Sequence, residues 1–276
     1  MKFSLLSVVG MAVMMAAGSA QAQTPPPGEG QGGAAAGAQP EAPAGPKPIP
    51  VPEGPVVKKT ELEGGLVAED LVIGDGAEIK PGGAVVVLYH GTRKSDGKVF
   101  DSAFERGEPI AFPLGNVIPG WQKGVPGMKI GGVRKLTIPS AMAYGERGAG
   151  ADIPPNTDLV FVIKVLDAVT YTDEVVGTGE AAQGQCVPVT RHTIKDDGGK
   201  EVEKVDGDKL WVWIPGELQG VNAGVDGMKV GGKRKIHVPK EFNPAAPQMG
   251  TSRPQNVPLD VELELVAVRN LMPQRR

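Results

Sequence analysis

Six aromatic side chains stand in six separate segments of one stretch of the chain: Tyr89, Phe100, Phe112, Trp121, Tyr144 and Phe161. Only 4% of the 276 residues are aromatic, so this set is a concentration rather than a background. Asp101 follows Phe100 directly, and Tyr144 precedes Gly145 in a glycine-rich stretch that offers a large ring little to pack on. Rings scattered over several segments usually build a core, and Phe161, inside an apolar run, fits that reading best. The chemistry they could do otherwise is that of a dry hollow with flat walls: stripping water from a bound group and selecting its shape. No covalent machinery accompanies them. Cys186 is the only cysteine and reads as a small buried apolar residue. His90, His192 and His237 are scattered without ligand spacing, and no Cys-His or Ser-His-Asp set is visible. Nothing here calls for a metal or a cofactor.

A repeat inside the chain separates core from hollow. Residues 120–139 and 220–239 align at an offset of one hundred with eleven of twenty positions identical. The turn glycines and Met128/Met228 survive in both copies, but the rings do not. At that offset Phe112 falls on Val212, Trp121 on Val221, Tyr144 on Pro244 and Phe161 on Val261. Allowing a small gap, Tyr89 falls on Arg191, Phe100 on Val202 and Asp101 on Glu203. Aliphatic residues can supply core volume at those places. What the second copy lacks is a cavity lined by rings.

The elements that must position these residues are short strands. Turn signals at 74–76, 81–83 and 96–97 separate expected strands over 71–73, 85–92, 99–101, 110–114 and 133–138. Longer apolar strands are expected over 158–166 and 258–266, one closing each copy. Residues 117–125, flanked by Pro119 and Pro126, predict one short helix lying on the sheet. The fold class is therefore α+β: a mostly antiparallel sheet packed on one small helix, present twice, with a boundary near Thr170.

Residues 1–22 carry Lys2, an apolar run over 3–17, and small residues at Ala20 and Ala22, the pattern of a cleaved secretory signal. The run is about 15 residues, short of the roughly 20 that span a bilayer, so no membrane insertion is expected. An exported, periplasmic protein is the reading. Residues 23–55 are rich in Pro, Gly and Ala and read as a disordered or extended tether, stiffer near 46–52. The folded domains are expected over 56–169 and 170–276. Without residues 1–22, 28 basic residues face 32 acidic ones, scattered along the chain, so nucleic acid is not an expected partner. Lys233-Arg234-Lys235, the densest basic spot, reads as a solvated strand face. Trp211 and Trp213 stand two apart on one strand face, as core or as a protein-binding patch.

Val99-Phe100-Asp101-Ser102, Val117-Ile118-Pro119-Gly120-Trp121, Gly127-Met128, Ala143-Tyr144-Gly145, Ile153-Pro154-Pro155-Asn156 and Leu159-Val160-Phe161 together resemble the FKBP-type peptidyl-prolyl cis-trans isomerases over about residues 66–169. The resemblance implies an antiparallel sheet wrapped on a short helix, with an apolar groove as active site. It makes Trp121 the floor that receives a proline ring. Tyr89, Phe100, Phe112 and Phe161 become walls, with Val117 and Ile118 at the rim and Ile110 where such proteins often carry another aromatic. The Ile118 N–H and the Tyr144 hydroxyl would hydrogen-bond substrate carbonyls. Asp101 would sit at the polar edge, or simply bond donors in a turn. Ile153 would belong to a loop closing over the groove, in which Ala149 and Asp152 depart from the bulkier or apolar residues usual there. The implied partners are unfolded, proline-containing polypeptides, with a macrolide as an inhibitor. The second domain would be non-catalytic and could hold a client or partner. A non-catalytic periplasmic chaperone is the alternative.

Overall fold

The computed structural model describes residues 46–183, 186–213, 219–244 and 253–270. The expected signal segment, and the tether up to residue 45, lie outside the described residues.

Two antiparallel sheets carry the fold. The first is built from β1 (Lys58–Glu61), β2 (Val67–Val72), β3 (Ala84–Arg93), β4 (Val99–Ser102), β5 (Ile110–Pro113), β6 (Val133–Ile138) and β7 (Leu159–Ala168), in the spatial order β1-β2-β6-β7-β3-β4, with β5 paired to β3. Two short helices belong to it: α1 (Ala103–Arg106) and α2 (Pro119–Gly124). The second sheet contains β8 (Thr170–Val175), β9 (Cys186–Asp196), β10 (Glu201–Val205), β11 (Trp211–Val212), β12 (Lys233–Val238) and β13 (Leu259–Asn270), with α3 (Gln219–Val225). Its order is β8-β12-β13-β9-β10, with β11 paired to β9. Reading β8 for β2, β12 for β6, β13 for β7, β9 for β3, β10 for β4 and β11 for β5, the two sheets have one topology. The internal repeat is a duplicated fold, with β1 added at one edge of the first copy. No helix of the described residues is long and apolar enough to cross a membrane.

Each sheet wraps its helix. Pro119 opens α2 at its first turn, where the missing N–H costs nothing. Gly120 and Gly124 then let α2 lie against β6, since a methyl at either would come within 2.4 Å of Ile138 or 2.8 Å of Leu136. Gly220 and Gly224 do the same for α3 against Val238 and Ile236. An ion pair on a buried arginine is duplicated too. Arg134 joins Asp70 and donates to the Gly124 carbonyl at 2.8 Å; Arg234 joins Asp173 and donates to the Gly224 carbonyl at 2.7 Å. In each copy the pair locks the helix C-terminus to the strand beneath it and satisfies carbonyls that a helix end leaves free. Arg234 thus turns inward, 4% exposed and over the Tyr171 ring at 3.7 Å, while its neighbours Lys233 and Lys235 face solvent. The solvated basic face holds for the two lysines only.

Three other expectations change. The strand expected over 71–73 runs over Val67–Val72, and β1 had no counterpart in the reading. Both carry charges that mask an apolar pattern, including the buried Asp70. Cys186, expected in the core, is half-buried at its margin. Residues 46–52 belong to no helix or strand but are docked: the Ile49 N–H donates to the Phe104 carbonyl at 2.8 Å, and Val51 packs on the first core. Gly107, at φ +71°, has the Lys47 carbonyl oxygen 2.2 Å from where a Cβ would stand, so the strap crosses α1 in backbone contact.

Candidate active site

Trp121 sits in the first turn of α2, held by N–H donation to the Ile118 carbonyl at 2.9 Å. It is 4% exposed. Three rings meet it edge to face: Phe161 of β7 with centroids 5.3 Å apart, Phe112 of β5 at 5.6 Å and Tyr89 of β3 at 5.7 Å. Phe100 of β4 continues the wall, edge-on to Phe161 at 5.5 Å. Each such contact adds about 0.5–1.5 kcal/mol beyond burial, so the rings hold one another upright around the indole. Phe100, Ile110, Phe112, Val117 and Ile118 are half-buried and pack on the same cluster, leaving its mouth accessible. Gly91 of β3 makes room for this arrangement. A Cβ there would lie 2.6 Å from Phe100 Cζ and 3.0 Å from Phe161 Cε1. A lone glycine inside a strand is the sequence signal of such a close approach.

The polar side of the cluster is one connected group. Tyr89 donates its hydroxyl to Asp101 Oδ2, Arg106 of α1 donates to Asp101 Oδ1, and Arg106 Nη2 donates to the Tyr89 hydroxyl at 3.3 Å. Burial, with the Asp101 carboxylate beside it, pushes the Tyr89 phenol far above its usual value. Tyr144, 38% exposed, lies within electrostatic reach of Asp101, and burial together with that charge raises its phenol as well. Both phenols therefore stay neutral O–H groups at physiological pH. Asp101 is thus more than a turn-former. Arg106 carries no spacing signal in the sequence; its role appears only once α1 folds back on β3 and β4.

Three donors at the cluster stand without partners. Trp121 Nε1 is buried with no hydrogen bond. Neither the Ile118 N–H nor the Tyr144 hydroxyl bonds any group among the described residues. A buried donor left unmade costs about 1–3 kcal/mol. Of the three, only the Trp121 donor is buried; Tyr144 is exposed and Ile118 half-buried, so their donors are open to solvent or a ligand. Ile153 belongs to the buried cluster at 6% exposure, in a loop bridged by Ala149 and Ile153 and tied to the β3–β4 turn by Lys98 and Asp152 at 2.9 Å. It is a fixed wall in this structure. All eleven residues picked from the sequence fall in or beside one cluster.

Residues 76–166 match the family described as FKBP-type peptidyl-prolyl cis-trans isomerase. A probable FK506-binding protein of Corynebacterium glutamicum is 48% identical over 103 residues, which are 37% of this chain and 86% of that protein. The chain belongs to this family. Peptidyl-prolyl cis-trans isomerase FPR2 of Saccharomyces cerevisiae is 47% identical over 114 residues, 39% of this chain and 82% of that one. FKBP-type peptidyl-prolyl cis-trans isomerase FkpA of Escherichia coli is 48% identical over 103 residues, and there the match spans only 37% of the relative.

The second FKBP-like domain shows what became of the same positions. Strand register corrects two of the pairings expected from sequence. Tyr89 lies opposite Ile163, and the residue opposite Leu263 is His192, not Arg191. Phe112 lies opposite Val85; the residue that donates to Pro188, the counterpart of Val85, is Trp213, not Val212. The polar group is rebuilt in other residues: His192 Nε2 meets Glu203 Oε1 at 2.8 Å, and Arg253 Nε meets Glu203 Oε2 at 3.2 Å. Burial works against the Glu203 charge, yet the His192 bond and the Arg253 charge hold its carboxyl below the usual range. The positions that match the ring cluster are enclosed. Ile194 stands opposite Val261, where Gly91 stands opposite Phe161, and Ile194, Trp213, Val221 and Val261 are each at most 1% exposed. The Trp213 indole donates to Thr190 Oγ1 at 2.9 Å, so this copy's buried indole is satisfied where that of Trp121 is not. Of the two tryptophans expected on one face, Trp213 is core and Trp211 is 36% exposed.

Proposed function

We propose that this protein accelerates cis-trans exchange at Xaa-Pro bonds of exported, unfolded polypeptides, in the groove over Trp121, and that the second domain has no isomerase activity. The single observation that carries this reading is the ring-walled indole of Trp121, with unpartnered donors beside it.

The peptide C–N bond resists rotation, with a barrier of about 18–20 kcal/mol, because resonance gives it double-bond character. The planar ground state is the more charge-separated form, and water stabilises it. In a groove walled by Phe100, Phe112 and Phe161 that water is lost, and the twisted transition state loses less by the move. The Ile118 N–H and the Tyr144 hydroxyl would hold the flanking carbonyls while the C–N bond turns. Only interactions stronger in the twisted form raise the rate, and each 1.36 kcal/mol of such preference gives about tenfold. Asp101, fixed by Tyr89 and Arg106, sets negative charge at the groove's edge. No bond to the protein forms.

The site's apolar, ring-lined character also fits a macrolide as inhibitor, in keeping with the names of relatives called FK506-binding proteins. Residues 1–22 support export to the periplasm. The enclosure of the matching positions in the second domain supports its inactivity.

Turnover of a short Xaa-Pro peptide by the full chain tests the reading. Tyr144→Phe, at an exposed site, is expected to lower kcat/KM about fivefold with melting unchanged, the loss of one hydrogen bond of about 1 kcal/mol. Unaltered turnover in Tyr144→Phe would remove this residue from the mechanism. No turnover by the wild-type chain would remove the proposal.

A further inference from the structure

The wall strand β5 has four residues and one hydrogen-bonded neighbour, β3. A short strand on a single ladder is weakly held. Its side chains alternate between two cores: Ile110 and Phe112 pack on the groove cluster, whereas Ala111 packs on the core of the second domain. The same alternation runs along β3. Val85, Val87 and Tyr89 belong to the first core, and Ala84 and Val86, 0% and 1% exposed, to the second. From the second domain, α3 and the turn at 240–242 approach β5. Small residues bring the two together: at Gly82 a Cβ would lie 2.5 Å from Asp226 Oδ2. The covalent link joins the same contact, Val169 donating to the Ala84 carbonyl at 2.8 Å.

The second copy supplies the comparison. In its equivalent strand, β11, no described residue covers the outer face, and Trp211 and Val212 are 36% and 49% exposed. Among the described residues, the strand that carries a groove wall is backed and its counterpart is not.

We infer that the second domain is the fixed backing of the groove: by covering Ala84, Val86 and Ala111 it holds β5, and with it Ile110 and Phe112, in the geometry that receives the proline-containing segment. This rests on the groove being the substrate site. The residues concerned touch no substrate; they act by positioning.

The test uses the full chain. Ala111→Glu sets a charge in the dry contact. Ile236→Ala hollows the seat of α3, against which Gly224 packs, within the second core. Amide exchange at 110–112, and kcat and KM for an Xaa-Pro peptide, are read in both. Opening of β5 is expected to speed exchange there about tenfold or more. A loosened wall removes binding common to ground and transition states, so KM is expected to rise about fivefold with kcat within about twofold. Should Ala111→Glu not fold, Ile236→Ala alone decides. Unchanged exchange at 110–112 and unchanged KM in a folded variant overturn the inference while leaving the groove assignment standing. A wild-type chain without turnover overturns the groove assignment itself.

Discussion

A methyl group at Gly91 would stand 2.6 Å and 2.8 Å from two carbons of Phe100 and 3.0 Å from Phe161. The rings cannot both keep their places beside it. In the second domain the same register position holds Ile194, which pairs with Val261 and Glu203, and Val202 stands beside Glu203 where Phe100 stands beside Asp101. Glycine and rings therefore belong together. Gly91→Ala is expected to displace Phe100, to cost about 1–3 kcal/mol by overpacking and to lower kcat/KM about tenfold. Peptide turnover beside a melting curve checks this; full activity with unchanged melting would mean that the ring positions do not matter. At this scale the sequence showed the rings, because seven of the chain's twelve aromatics fall in this one domain. It hid Arg106, since the contact with Asp101 and Tyr89 depends on α1 folding back. It also misplaced His192 and Trp213. A one-residue slip in strand alignment moves a side chain to the opposite face, and the offset between copies is one hundred at the helices but larger in β9 and β11. Arg191 and Val212 are the residues that such a slip selects.

Among the elements, the strap of residues 46–52 is the one whose composition misled. Its prolines read as the stiffer part of a disordered or extended tether, yet Pro48-Ile49-Pro50 presents one N–H, that of Ile49, to the Phe104 carbonyl of α1. The strap thus presses on the helix that carries Arg106. Proline suits a path outside helix and strand but has no N–H. Ile49→Pro is therefore expected to keep the path and remove the bond, lowering Tm by about 2–4 °C, as a loss of about 1 kcal/mol does in a chain of this size. Looser support of Arg106 is expected to reduce kcat/KM about twofold. Unchanged melting would show that the strap contributes nothing to the fold. The strands legible in the sequence are β3, β5, β6, β7 and β13, which carry apolar faces, and β4, which follows the turn signal at 96–97. β1 and β2 were obscured because their charges are paired in the sheet, as Asp70 is with Arg134. Pairing of that kind joins residues far apart in the chain, where no local pattern records it.

At the scale of the whole molecule, one fold occurs twice with one topology and opposite interiors. Trp121 lies under a ring wall with its indole N–H unpartnered, and Trp213 is enclosed with its indole N–H bound to Thr190. The repeat was visible in the glycines and in Met128 and Met228. That Ile194 and Trp213 occupy the positions of Gly91 and Phe112 needed the register. The chain has three tryptophans, Trp121, Trp211 and Trp213, so each indole N–H can report separately. The decisive measurement follows the three indole resonances of the full chain as a short Xaa-Pro peptide is added. The account predicts that the Trp121 signal moves in a saturable way while that of Trp213 stays fixed, and that the same peptide with its proline replaced by alanine moves Trp121 far less. A stationary Trp121 signal under a peptide that the protein demonstrably turns over would contradict it.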